Sequence, residues 1–164
     1  MPGIRLGMLT PSSNTMLEPV TVDMLAGLTD VSAHFSRFRV TQIGLSDKDL
    51  DQFSHAEMIR AAELLADANV DVIAWNGTSA SWLGFEHDER LCDKIEDTIN
   101  IPGCTSVLAF REIFRRTGVR KVGLVTPYVD DVQERIARNW GAAGFDCSTE
   151  RHLGLSENFS FAPG

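Results

Sequence analysis

"IRLGMLTPSSNT", residues 4–15, runs from a short apolar stretch into four hydroxyl side chains and an amide. The apolar part is too brief for a core helix and stops at Thr-Pro, which reads as a strand ending at a turn. After it, "NTMLEPVTVDMLAGL" carries apolar residues at helical spacing, with Pro19 marking the first turn. A strand that passes to a helix through a polar loop is the repeating step of a parallel sheet.

The same step recurs along the chain. "VSAHFSRFRV" (31–40) alternates as a strand, with Val31, Ala33, Phe35 and Phe38 as its apolar positions. "SHAEMIRAAELLADANV" (54–70) is the clearest helix, opening on Ser54 and Glu57 at capping-box spacing. "VDVIAW" (70–75) has the near-continuous apolar character of a strand covered on both faces, and "RLCDKIEDTI" returns to helix. Beyond "NIPGCT" the pattern restarts: "SVLAFREIFRRTG" is a helix stopped by Gly118, "RKVGLV" a strand, "DDVQERIARNWGAAG" a helix, and "FDCSTERHL" a further strand. "LGMLTPSSNT" and "VGLVTPYVDD" both place Thr-Pro directly after an apolar strand. This echo predicts an α/β fold of two similar α/β/α lobes with parallel sheets. The first lobe spans residues 1–100, and residues 101–164 form a partial second lobe.

Composition narrows the partners. With 164 residues, 43% of them hydrophobic, the chain buries a real core. A net charge of -8 without a basic cluster repels a phosphate backbone, so no nucleic-acid partner is expected. No apolar run approaches the roughly 20 residues of a membrane span, and the N-terminus lacks a signal-peptide pattern, so the expected location is the cytoplasm. Cys92, Cys104 and Cys147 match neither a disulfide framework nor a zinc site, and the four histidines lack metal-ligand spacing. Cys92 shares a helix face with Leu91 and Ile95, whereas Cys104 follows a Pro-Gly turn where a thiol is partly exposed.

In such sheets ligands bind beyond the carboxyl ends of the strands. The strand assignments put "TPSSNT", "NGTSAS" and "TPY" there, and all three are hydroxyl-rich. Ser13, Asn14, Thr78, Ser79 and Tyr128 offer neutral donors, helix N-termini add partial positive charge, and Gly77 permits close backbone approach. Together they suit a carboxylate. Taken one at a time, the same serines, threonines and asparagine are ordinary caps and turns. Trp82, Leu83 and Phe85 in "SASWLGF" either wall an apolar subsite or begin an inward-packing helix.

"GMLTPSSNTMLEP", "WNGTSASWLG" and "VGLVTPYVDDVQERIARNWGAAGFD", in this order, resemble the maleate isomerase and arylmalonate decarboxylase branch of the aspartate/glutamate racemase superfamily. The resemblance implies two α/β lobes around a site for a small dicarboxylate, worked without metal or organic cofactor. It implies substrate contacts from Asn14, Thr78, Ser79 and Tyr128, and from Asn158 in "GLSENFSF". Racemases and maleate isomerases of this superfamily use one cysteine per lobe, the first immediately before the Thr-Ser matched by Thr78 and Ser79. That position here is Gly77, which cannot act as a nucleophile or base, and arylmalonate decarboxylases resemble the chain better there. Those enzymes hold one carboxylate among hydroxyls and protonate an enediolate from a single second-lobe cysteine.

Family chains extend well past "NFSFAPG", and no cysteine of this sequence matches the second-lobe position. The expectation is a C-terminally truncated chain with the carboxylate-holding part of the site and without its acid. Two functions follow: an enzyme completed by sequence not present here, arylmalonate-decarboxylase-like or else a cis-trans isomerase or racemase, and a carboxylate-binding chain that turns nothing over. An incomplete lobe leaves apolar surface uncovered, which a homo-oligomer would bury.

Overall fold

The computed structural model describes residues 3–161. Its elements, in chain order, are β1 (Ile4–Pro11), α1 (Leu17–Leu25), β2 (Val31–Phe38), α2 (Asp47–Asp51), α3 (His55–Asp67), β3 (Val72–Trp75), α4 (Ala80–Leu83), α5 (Phe85–Ile99), β4 (Gly103–Thr105), α6 (Ser106–Thr117), β5 (Leu124–Thr126), α7 (Asp130–Ala142) and β6 (Glu150–His152). A 3-10 turn, Asn158–Phe161, follows β6.

Two parallel sheets result, one ordered β2-β1-β3-β4 and one pairing β5 with β6. Leu6 pairs with Val72 and Leu9 with Trp75, so "IRLGML" and "VDVIAW" are neighbours in one sheet, as expected. Strand order reverses between β1 and β3. At such a switch point the chain leaves the two strands toward opposite faces and opens a crevice beyond their carboxyl ends. The 10–15 loop leaves β1 there and the 76–79 loop leaves β3 there.

The core forms where helices cover this sheet: Leu9, Ile73 and Trp75 meet Met58, Ala62, Leu91 and Ile95, all buried. Gly103 lets α5 lie close to β4, since a Cβ at that position would stand 3.0 Å from Cys92 Cα. The second sheet is held to the first through α7. Asn139 Nδ2 donates to the carbonyls of Ser81 and Trp82 at 3.0 and 3.1 Å, and Trp140 Nε1 donates to Ser81 Oγ at 3.3 Å. Among the described residues no helix is long and apolar enough to cross a membrane.

Local chemistry departs from the sequence reading in three places. Ser54 makes no side-chain cap and Glu57 pairs instead with Arg60; the working cap is Ser46, which exchanges hydrogen bonds with Asp49 at the start of α2. On β2 the buried residues are Ser36 and Phe38, because Phe35 and Phe38 are an odd number of positions apart and cannot share one strand face. "GCT" is β4, a fourth strand paired with β3 through Trp75 and Thr105, and not merely a turn before α6.

Candidate functional site

The loops at the switch point enclose a cavity of about 150 Å³. Asn14 comes from the loop after β1, Gly77, Thr78 and Ser79 from the loop after β3, Tyr128 from the turn after β5, and Asn158 from the terminal 3-10 turn. Six of the seven residues singled out from the sequence therefore line one space. Ser13 does not. Its hydroxyl donates to Val40 O at 2.6 Å and accepts from Asn158 Nδ2 at 2.8 Å, so it anchors Asn158 instead of facing the cavity.

The Asn14 amide caps a helix with one end only. Its Oδ1 accepts from the amides of Met16 and Leu17, both at 2.9 Å, which caps α1. That commits the oxygen to the helix and leaves Nδ2, the donor end, outside the cap on a residue that lines the cavity. Cap and ligand contact are therefore compatible at this residue.

Thr78 Oγ1 and Tyr128 Oη lie 2.5 Å apart, joining the two sheets at the cavity. Burial pushes the Tyr128 phenol up from its ordinary range, and the Thr78 hydrogen bond offsets this only in part, so the phenol is a neutral donor at physiological pH. Ser79 is buried and its hydroxyl accepts from Trp75 Nε1 at 3.2 Å. The first bond of the α4 turn runs from Ser81 N–H to Thr78 O, so the amides of Gly77, Thr78 and Ser79 have no acceptor within that turn. Among the described residues, no lysine, arginine or carboxylate lines the cavity. An anion here meets only neutral dipoles.

The apolar wall is Phe53, Trp82 and Phe161, with Tyr128 packed edge-on between Trp82 and Phe161 at 5.1 and 5.5 Å. Trp82 thus serves both readings of "SASWLGF", since it packs inward and lines the cavity. Phe85 does not, because it turns toward Trp140 and Arg111.

Two features escaped sequence reasoning. A Cβ built on Gly77 falls on the six-membered ring of Trp75, 2.6 Å from Cε2 and nearer still to Cζ2 and Cη2. The glycine is thus required by a buried indole and not by an unusual backbone angle. Phe161 comes from the segment after β6, which crosses back to the stretch following β2 through Ile43 N–H to Ser156 O and Asn158 N–H to Thr41 O. No local periodicity announces such a return.

None of the three thiols lines the cavity. Cys92 and Cys104 flank a separate depression beside β4, and burial together with the Asp88 carboxylate pushes the Cys92 thiol up to about 12. Cys147 is buried in an apolar cleft of about 360 Å³ on the other side of Thr78 and Tyr128, with its thiol also pushed up by burial.

The turn carrying Tyr128 is braced by His152, whose ring nitrogens each lie 2.8 Å from a carboxylate, Nδ1 from Glu150 and Nε2 from Asp130. Gln133 extends the brace, donating to Glu150 at 2.7 Å and accepting from Thr126 at 2.6 Å. Both carboxylates raise the His152 pKa above 6.5. A raised folded-state pKa adds stability that is complete below the unfolded value of about 6.5 and is lost as pH rises through the folded value. Urea midpoints of the parent are expected to fall across that window more steeply than those of His152→Gln; parallel profiles would show the brace to be inert.

The sequence profile of the family described as arylmalonate decarboxylase matches residues 7–159. This chain belongs to the arylmalonate decarboxylase family. The maleate isomerase of Pseudomonas putida is 28% identical over 169 residues, covering 96% of this chain and 66% of that protein. The structure of a Nocardia farcinica maleate cis-trans isomerase with a covalently bound succinylcysteine intermediate superposes with a TM-score of 0.85 at 26% identity, covering 98% of this chain and 69% of that one. A liganded mutant of arylmalonate decarboxylase shares the fold, with a TM-score of 0.78 at 22% identity over 94% of this chain and 63% of that one. The chain spans about two thirds of the length of the maleate isomerases it matches.

Proposed function

We propose that this chain forms the carboxylate-holding part of a cofactor-independent enzyme for a small dicarboxylic acid, working as arylmalonate decarboxylases do. One observation carries the reading: neutral donors from three strand-end loops and the terminal 3-10 turn meet around one cavity of about 150 Å³. In the reaction the bond between the central carbon and one carboxylate breaks and CO2 leaves. The electron pair moves onto the retained carboxylate as an enediolate, and a proton then adds to carbon. Thr78, Tyr128 and Asn14 would hold the retained carboxylate, and fixed donors stabilise the charge that builds on it.

A second reading, cis-trans isomerisation, is favoured by the maleate isomerases among the relatives, one of them caught with a succinylcysteine intermediate. Against it stands Gly77, where the Trp75 ring fills the space a thiol would need.

Because no thiol lines the cavity, the 164-residue chain is expected to bind maleate or malonate without turning it over. Calorimetric titration with both acids, with NMR of the mixture for fumarate or acetate, tests this. Absence of binding overturns the carboxylate reading; product overturns the claim that the chain lacks its acid. Tyr128→Phe removes one donor and almost no volume. Its expected cost is about 1 kcal/mol of binding, roughly fivefold in Kd, with a similarly small loss of stability from the broken Thr78 bond. An unchanged Kd would remove the phenol from the site.

A further inference from the structure

We infer that Arg37 is a positioning residue for the site, the group that holds the 10–15 loop in the shape that presents Asn14; this rests on the carboxylate reading above. Arg37 lies on β2 opposite Thr10 of β1, directly under the loop. Its Nη1 donates to three loop carbonyls, those of Pro11 at 3.4 Å, Ser12 at 3.0 Å and Asn14 at 2.8 Å. Its Nε and Nη2 both donate to Glu18 Oε1, at 3.1 and 2.7 Å, in the first turn of α1.

Three carbonyl oxygens that turn toward one point repel one another unless a donor stands between them. The guanidinium fork is such a donor, and its remaining arms fix its plane against Glu18. The ion pair itself is exposed, with 36% and 38% of the two side chains accessible, and adds little stability by itself. Its geometric effect is larger. Asn14 is pinned on one side by its carbonyl to Arg37 and on the other by its Oδ1 to the amides of Met16 and Leu17, so Nδ2 has one direction left. A lysine offers the charge without the fork, and methionine offers the stem without either.

The test compares the 164-residue chain with Arg37→Met and Arg37→Lys in two measurements. In native-state hydrogen exchange, Arg37→Met is expected to expose the Met16 and Leu17 amides about tenfold or more while the α3 amides stay protected. In maleate titration its Kd is expected to rise about tenfold, Arg37→Lys falling between. Combined with Asn14→Asp, which keeps the cap oxygen but not the donor, Arg37→Met should add less than about twofold, because it acts through Asn14. Unchanged exchange at Met16 and Leu17, or a parent-like Kd, overturns the inference, as does full additivity with Asn14→Asp. If the parent itself binds nothing, the carboxylate reading fails and the exchange measurement alone decides the role of Arg37. Should Arg37→Met not fold, Arg37→Lys is read by the same criteria.

Discussion

Gly77→Cys is expected to destabilise the chain by about 2 to 3 kcal/mol, the upper range for overpacking a filled core. The physical reason is one side chain. Trp75 is fully buried, packs against Phe38 at 5.0 Å and donates its indole N–H to Ser79, so its six-membered ring cannot swing away from an added Cβ. Trp75→Phe withdraws that ring. Alone it also destabilises, by lost packing and an unpaired Ser79 hydroxyl, but combined with Gly77→Cys it should recover at least about 1 kcal/mol relative to additivity. Urea denaturation of the four chains measures the cycle. A Gly77→Cys chain as stable as the parent, or strictly additive losses, would mean that the indole yields easily. The glycine would then say nothing about which chemistry the site excludes.

This dependence bears on function as well as stability. Introducing a thiol at position 77 by one substitution is not expected to create an isomerase, because the residue that fills the space a thiol would need lies two positions earlier on the strand. The sequence reading identified Gly77 as a departure from two-cysteine chemistry, but not the tryptophan that enforces it. Trp75 at the end of "VDVIAW" looks like any core residue, and only its rotamer carries it under the next loop.

What was legible followed from local rules. Period and punctuation mark β1, β3 and the major helices, and strand-end logic points to Asn14, Thr78 and Tyr128, which line one cavity although Tyr128 follows a strand of the second sheet. What escaped was either too short or too distant. "GCT" has too few residues to show a period, and α2 was hidden by a polar sequence whose only signal was Ser46 and Asp49 at cap spacing. Ser13 points away from the cavity because its hydroxyl is used on both sides, donating to Val40 just past β2 and accepting from Asn158, 145 residues on. Nothing in the sequence tells a solvated arginine from one that, like Arg37, gathers three carbonyls.

Asn14→Asp should separate the two things this residue does, weakening maleate binding by about a hundredfold, or roughly 2.7 kcal/mol, while leaving the fold as stable as before or slightly more so. The substituted carboxylate keeps an acceptor oxygen for the amides of Met16 and Leu17, and a negative charge at a helix N-terminus is favourable by about 0.3 to 1 kcal/mol. On its other side the change replaces an N–H donor by an anionic oxygen facing the bound carboxylate. Among the described residues, no lysine or arginine lines the cavity to soften that repulsion. Opposite signs on binding and stability cannot come from general damage to the loop, which lowers both. Calorimetric titration with maleate and a thermal melt of the same sample suffice to read them. If binding and stability both held, Asn14 would be a helix cap and nothing more, and the donors of Thr78, Tyr128 and Asn158 would have to hold the acid without it.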